Sequence, residues 1–275
     1  MTTALDLSVV DGATVQEFRT HGATVVRGLF SPGEVATIER GIERNLAAPS
    51  PLFLTASTSD DPGRFVEDFC SWQRIPEYAD IAFTSRAADV AGALMGAQEV
   101  RLYHDHLLVK EPGTRQPTPW HQDQPYYNVD GVMNASMWAP VDPVAPESTL
   151  EFLVGSHRWG WRMPRTFLDA QAMWFPEGSL EELPDIEAHR DDHDILGWAL
   201  EPGDAVFFHM LTLHHAYGVP GIHRRRAFSL RFLGDDATHA PRPWRTSPPF
   251  AGLEAELPAG APMHHALFPV LRTRT

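Results

Sequence analysis

The spacing of apolar residues divides the chain into two textures. Up to about residue 97 they recur mostly at helical intervals, and from Val100 short β-branched and aromatic runs alternate with Pro and Gly. In the first part, residues 15–21 read as a short helix, and residues 23–29 (ATVVRGL) have the β-branched content of a strand. Ser31-Pro32-Gly33-Glu34 forms a helix start, since Ser caps, Pro suits the first helical position and Glu stands three residues beyond the cap. Val35, Ile38, Ile42 and Leu46 continue that helix over 34–46, and a second is expected over 85–95, stopped by Gly96. Beyond residue 100, VRLYHDHLLVK, NASMWAPV, TLEFLVG, DAVFFHMLTLHHAYG and RAFSLRFLG are expected strands of a sandwich or double-sheet barrel.

These textures imply one domain over 1–275. Residues 1–97 form a mostly helical annex with an early strand, 98–235 a β core, and 236–275 a Pro-rich C-terminal wrap. An irregular insert at 160–197, with Trp161, Trp174, Pro176, Pro184 and many acids, interrupts the core and is long enough to cover the mouth of a site.

Composition narrows the class. Hydrophobic residues make up 43% and charged residues 21% of 275, enough for a packed core. A formal charge of -14 without a Lys/Arg-rich run argues against nucleic acid or an anionic membrane as partner. The single cysteine, Cys70, excludes an intramolecular disulfide and a Cys-based zinc site. The opening residues lack a basic then apolar leader, and no run approaches 18 apolar residues, so a cytoplasmic enzyme or small-molecule binding protein is expected. Nothing in the sequence fixes an oligomeric state.

The chemistry concentrates at Trp120-His121-Gln122-Asp123. On an extended segment, residues two apart share a side, so His121 and Asp123 can share one metal ion while Gln122 points away. Alone, such a pair is commonly a surface turn. A turn and strand from Gly203 lead, however, to Leu213-His214-His215, and one further histidine would complete two histidines and a carboxylate on one face of a metal. His214 and His215 face opposite ways on a strand, so only one can serve; His209 falls early and reads as a core residue.

Several segments in order resemble the phytanoyl-CoA dioxygenase (PhyH-like) family of iron(II)/2-oxoglutarate-dependent oxygenases. They are EFRTHGATVVRGLFSPGEV, TPWHQD at 118–123, WAPVDPVAPESTLEFLVGSHRWG at 138–160, PGDAVFFHMLTLHHAYG at 202–218 and RRRAFSLRF at 224–232. The resemblance spans nearly the whole chain, more weakly over 45–95 and after 240. It implies a mainly β fold with flanking helices: a double-stranded β-helix, the cupin-like jelly roll. It also implies that His121, Asp123 and His214 are catalytic iron(II) ligands and that Arg225, eleven positions past His214, holds the far carboxylate of 2-oxoglutarate. A guanidinium suits that task because it offers two parallel hydrogen bonds. Arg225, Ala227, Ser229 and Arg231 alternate onto one strand face, leaving Arg224 and Arg226 to be solvated or paired elsewhere. The family's Gly-Ser after the distal histidine is here His215-Ala216, which removes one expected hydrogen bond to the co-substrate.

The resemblance further implies a dioxygenase that consumes O2 and 2-oxoglutarate, releases succinate and carbon dioxide, and hydroxylates a small organic metabolite. Desaturation, epimerisation or cyclisation in a natural-product pathway would use the same ligands, whereas a carboxylate at Asp123 disfavours halogenation. A catalytically silent jelly-roll binding protein and a zinc hydrolase are readings of other classes; the latter would leave Arg225 without a purpose. Lys110 and Tyr103 are further candidates for holding the co-substrate. His106, Tyr126, Tyr127, Asn128 and Trp138 are candidates for substrate contact, each also able to be ordinary packing. His157 reads as structural.

Overall fold

In the computed structural model, which describes residues 3–163, 180–219 and 221–274, the helices are α1 (Gly12–His21), α2 (Pro32–Ala47), α3 (Pro76–Thr84), α4 (Ala87–Met95) and α5 (Leu253–Glu256). The strands in chain order are β1 (Thr3–Ala4), β2 (Ala23–Val26), β3 (Leu54–Thr55), β4 (Phe65–Phe69), β5 (Glu99–Lys110), β6 (Thr118–His121), β7 (Val129–Asp130) and β8 (Asn134–Pro140). They continue as β9 (Leu150–Leu153), β10 (Ile195–Gly197), β11 (Ala205–Phe208), β12 (His214–Ala216), β13 (Arg225–Leu233), β14 (Thr238–His239) and β15 (Val270–Thr273).

Local signals account for the expected helices. Ser31 and Glu34 form the reciprocal capping box that starts α2. Gly22 (φ 86°) and Gly96 (φ 72°) end α1 and α4 in the left-handed region that a glycine enters without strain.

Among the described residues, one large sheet runs β1-β15-β5-β13-β8-β11-β2, with β4 also on β5 and β3 on β4. A smaller sheet runs β10-β9-β12-β6, and β7 pairs with β14. The large sheet buries its outer face against the helices: Phe228 of β13 stacks on Tyr78 of α3 with centroids 4.2 Å apart, within a core that also holds Leu107, Met137 and Phe207. Its inner face meets the small sheet through Trp138, Val206, Phe208 and Ala227 on one side and Leu150, Phe152 and Ala216 on the other. This is a jelly roll.

Four features depart from the sequence expectation. The annex over 1–97 is less helical than its texture implied: β2 is the expected early strand, but β4 joins the large sheet as well. The β4 signal was masked because both of its faces are buried: Val66 and Asp68 lie outward against α2, where Asn45 donates to Asp68, and Phe65 and Glu67 lie inward. Helix α3 was not anticipated. The run DAVFFHMLTLHHAYG is two strands rather than one, β11 in the large sheet and β12 in the small, so the chain crosses between sheets at 209–213. The wrap over 236–275 ends as β15, paired with β5. Of the insert, Trp174 and Pro176 lie outside the described residues, while its last residues form β10 on β9.

Phe228 is fully buried where sheet and helices meet. Phe228→Ala is expected to cost about 3–5 kcal/mol of stability, read as a lower chemical-denaturation midpoint at unchanged m-value.

Candidate metal centre and its cavity

The strands deliver His121 and His214 to one another. They are direct register partners across β6 and β12, and their rings lie 4.2 Å apart. His121 Nδ1 bonds to the carbonyl of Pro119 (2.8 Å) and His214 Nδ1 to that of Thr212 (2.9 Å). A backbone carbonyl can only accept, so each Nδ1 carries the proton and each Nε2 presents its lone pair. Burial holds both imidazoles below their usual pKa, His214 down to about 3, so both are neutral at pH 7.

Asp123 arrives differently from expectation. The strand ends at His121, and Asp123 sits in helical backbone (φ -73°, ψ -47°) at the head of a short 3-10 turn. Its amide and that of Gln124 both donate to the carbonyl of Met210 (2.8 and 3.0 Å), which fixes the turn beneath His214. Oδ2 accepts from Ser136 Oγ (2.7 Å) and pairs with Arg231 Nε (3.1 Å). Oδ1 is thereby turned toward the histidines, 3.8 Å from each Nε2. Burial opposes the charge on Asp123, but Arg231 and the two histidines outweigh it and hold the carboxyl below the usual carboxylate range.

The three donor atoms lie within 4.8 Å of one another on buried residues. Two neutral imidazole nitrogens and one carboxylate oxygen on one side suit a borderline divalent first-row metal, with the opposite side left for exogenous ligands. Gln122 points away as expected: its amide bonds to the carbonyls of Gly160 and Leu211 and to the amide of Arg162, tying the start of the insert to the crossover loop. His215 lies on the other face of β12, 2.6 Å from Glu151, against the Trp120 ring. His209 bonds to the carbonyl of Val132 and accepts from the amide of Leu211.

The triad opens into a cavity of about 290 Å³ between the sheets, near the lower end of the ~300–1,000 Å³ usual for small-molecule sites. Arg225 lines it, buried and lying over the Trp138 ring at 5.7 Å. Its guanidinium donates to the carbonyl of Ser148; no carboxylate pairs with it among the described residues, and burial alone lowers its pKa to about 10. Its neighbours Arg224 and Arg226 point outward and pair with Glu43, Glu111, Asp142 and Glu39. His106, Tyr126, Tyr127 and Trp138 also line the cavity.

Three candidates lie elsewhere. The Lys110 ammonium donates to the carbonyls of Gln116 and Tyr217 and sits over the Phe65 ring, outside the cavity lining. Tyr103 donates to Asn128 Oδ1 (2.7 Å) within an aromatic cluster with Phe250 and Phe268. Neither it nor Asn128 reaches the cavity. Strand alternation put Lys110 on the correct face, but the carbonyls of the neighbouring loop take its donors first.

Sequence reading missed Glu67, Phe69, Ser136 and Ser247 and understated Arg231. Glu67 and Phe69 line the cavity from β4, and Ser247 from the C-terminal wrap. The available signal was the alternation Phe65, Glu67, Phe69, with one acid between two aromatics on the same face.

The sequence profile of the phytanoyl-CoA dioxygenase (PhyH) family matches residues 18–227, and the chain belongs to that family. No curated protein matches the chain in a sequence search. Among solved structures, it is similar to the non-heme alpha ketoglutarate dependent carbocyclase SnoK from nogalamycin biosynthesis, with 21% identity, TM-score 0.75, 98% of this chain and 99% of that one covered. The epimerase SnoN, solved with Fe3+, alpha ketoglutarate and nogalamycin RO, gives 21% identity and TM-score 0.72 over 94% of this chain and 98% of that. EctD from S. alaskensis, solved with 2-oxoglutarate and 5-hydroxyectoine, gives 21% and 0.68 over 100% and 94%.

Arg231 leaves Asp123 Oδ1 as the carboxylate's metal-facing oxygen. Arg231→Met is expected to weaken iron(II) affinity roughly 10–100-fold, as loss of a group that orients a metal ligand does. Anaerobic calorimetric titration checks this; unchanged affinity would remove the positioning role.

Proposed function

We propose that this chain is a non-haem iron(II)/2-oxoglutarate-dependent dioxygenase, one cytoplasmic domain that hydroxylates a small organic metabolite with release of succinate and carbon dioxide. The observation that carries the reading is the conjunction in one cavity of a donor triad and a buried guanidinium without a carboxylate partner. A buried cation of this kind calls for an anionic partner, and a dicarboxylate co-substrate supplies one. A zinc hydrolase or an empty binding module leaves it unexplained. Among the described residues no helix is long and apolar enough to cross a membrane.

His121, Asp123 and His214 would hold iron(II), and Arg225 the distal carboxylate of 2-oxoglutarate. When bound, the metal and co-substrate supply the oxidising power, coupling reduction of O2 and decarboxylation of 2-oxoglutarate to oxidation of a substrate C–H bond. The chain's own residues bind and orient. Arg231 and Ser136 keep Asp123 ionised and aimed; Leu150, Phe208 and Trp138 exclude water around the reacting centre.

Thr118 answers the departure at Ala216. The β6–β12 ladder pairs Thr118 with Ala216 and His121 with His214, three residues against two, so a bulge at Pro119–Trp120 keeps both Thr118 and His121 on the inner face. Thr118 lines the cavity and offers a hydroxyl beside the place where the family's serine would stand.

Ring closure or epimerisation on the same cofactors is the second reading. It is favoured by the similarity to a carbocyclase and an epimerase.

The test is anaerobic titration of apoprotein with iron(II) and 2-oxoglutarate, following the visible charge-transfer band of the chelate. The band is expected in the wild type and not in Asp123→Ala or His214→Ala, each of which stays folded. A band that survives either change removes that residue from the triad. Arg225→Met is expected to cost about 2–5 kcal/mol of 2-oxoglutarate binding, and Thr118→Val about 1.5–3 kcal/mol, the range for a hydrogen bond to a charged group. Unchanged 2-oxoglutarate affinity in either variant would move that role elsewhere.

A further inference from the structure

The cavity contains a second polar centre that the triad and Arg225 do not use. Glu67 of β4 and His106 of β5 both line it, with 3% and 7% of their surface exposed. Glu67 Oε1 and His106 Nε2 stand 3.2 Å apart but are not aligned for a hydrogen bond. Glu67 Oε1 and both ring nitrogens of His106 lack any hydrogen-bond partner. Buried polar atoms are rarely left so, because each has given up its hydrogen bonds to water without a replacement. Phe69 stacks on the imidazole with centroids 4.1 Å apart and planes at 21°, which fixes the ring.

The strand register places this pair. His106 is opposite Ser229 on β13, one inward step from the level of Arg231, which holds Asp123, and Glu67 is opposite Leu108, itself opposite Ala227. The pair therefore occupies the β4–β5 flank, between the Arg225 and Arg231 levels of the strand. The wall around it is apolar, formed by Leu54, Ala56, Phe69 and Leu108.

We infer that Glu67 and His106 recognise the principal substrate through an uncharged hydroxyl group carried on an otherwise apolar molecule. The inference rests on the function proposed above. A hydroxyl is both donor and acceptor, and it satisfies a carboxylate oxygen and an imidazole N–H together. Hydrogen-bonding capacity selects against the alternatives: an ammonium can only donate and a carboxylate can only accept, so neither satisfies the carboxylate oxygen and the imidazole together. The polar pair sits in an apolar wall, so its hydrogen bonds fix orientation while the apolar body supplies affinity.

The experiment uses the full chain with iron(II) and 2-oxoglutarate under anaerobic conditions, so that nothing turns over, and three probes: benzyl alcohol, toluene and benzylammonium. Calorimetry is expected to show benzyl alcohol binding about tenfold more tightly than toluene, with benzylammonium weakest. His106→Phe, which keeps the stack on Phe69, and Glu67→Leu are each expected to abolish the alcohol's advantage. Equal binding of alcohol and toluene, tightest binding of benzylammonium, or an advantage that survives both substitutions overturns the inference. Should Glu67→Leu not fold, His106→Phe decides alone. The chelate band recorded on the same wild-type sample separates the two claims: its absence defeats the cofactor reading, whereas its presence without alcohol preference defeats only this inference.

Discussion

The structure depends on keeping one carboxylate charged in a dry place. Burial by itself would protonate Asp123 and spoil it as an anionic donor. The chain opposes this with a guanidinium at 3.1 Å and a serine hydroxyl at 2.7 Å. The residues around the carboxylate come from four different elements: Arg231 from β13, Ser136 from β8, His121 from β6 and His214 from β12. Three of those four strands are also stitched by the crossover loop, whose Met210 carbonyl holds the Asp123 turn and whose Met210 amide donates to Asn134 Oδ1. Two sheets must therefore close on each other before the carboxylate can exist in its working state, and the jelly roll is the frame that closes them.

The same strand that anchors Asp123 sets up the second charge. Strand β13 is nine residues long and alternates regularly, so Arg225 and Arg231 share the inner face at opposite ends of the cavity. Their environments differ. Arg231 is matched by Asp123 and Tyr127, while Arg225 meets, among the described residues, a carbonyl and the face of Trp138. Nearby Lys110 illustrates why a buried basic group is not by itself a binding group: burial pushes its pKa down, two backbone carbonyls take its donors and an aromatic ring covers it. A guanidinium has five N–H donors and retains capacity after one is used, which is the property that makes Arg225 available to a dicarboxylate.

Much of this was legible in the sequence, and the rest was hidden for physical reasons. The capping box at Ser31, the glycine stops at Gly22 and Gly96 and the alternation on β13 are local signals, and local signals survive without tertiary context. The grouping of His121, Asp123 and His214 was read from spacing and family resemblance; the strand register brings the two histidines together and the turn after β6 brings Asp123 to them. Glu67 was missed because β4 is covered on both faces, so its sequence lacks the apolar-polar alternation of a half-buried strand and only an acid between two aromatics marks it. The roles of Lys110 and Tyr103 turn on which backbone carbonyl or amide happens to lie within 3 Å of a terminal atom, and periodicity carries no information about that.

On the function proposed, the bulge in β6 gives the chain a way to depart from a family's residue pattern and keep the chemistry of a position. A regular β6 would place residues at 119, 121 and 123 on one face, and Thr118 would point outward. The register slip of one residue between the His121 and Thr118 pairings turns Thr118 inward and leaves Trp120 outward against His215. Aspartate can then follow from a turn instead of a strand, which frees its backbone amide to be held by Met210. A hydroxyl absent from β12 at Ala216 is thus available from the strand beside it. What the site requires is a donor at a place in the cavity, and either of two paired strands can supply it.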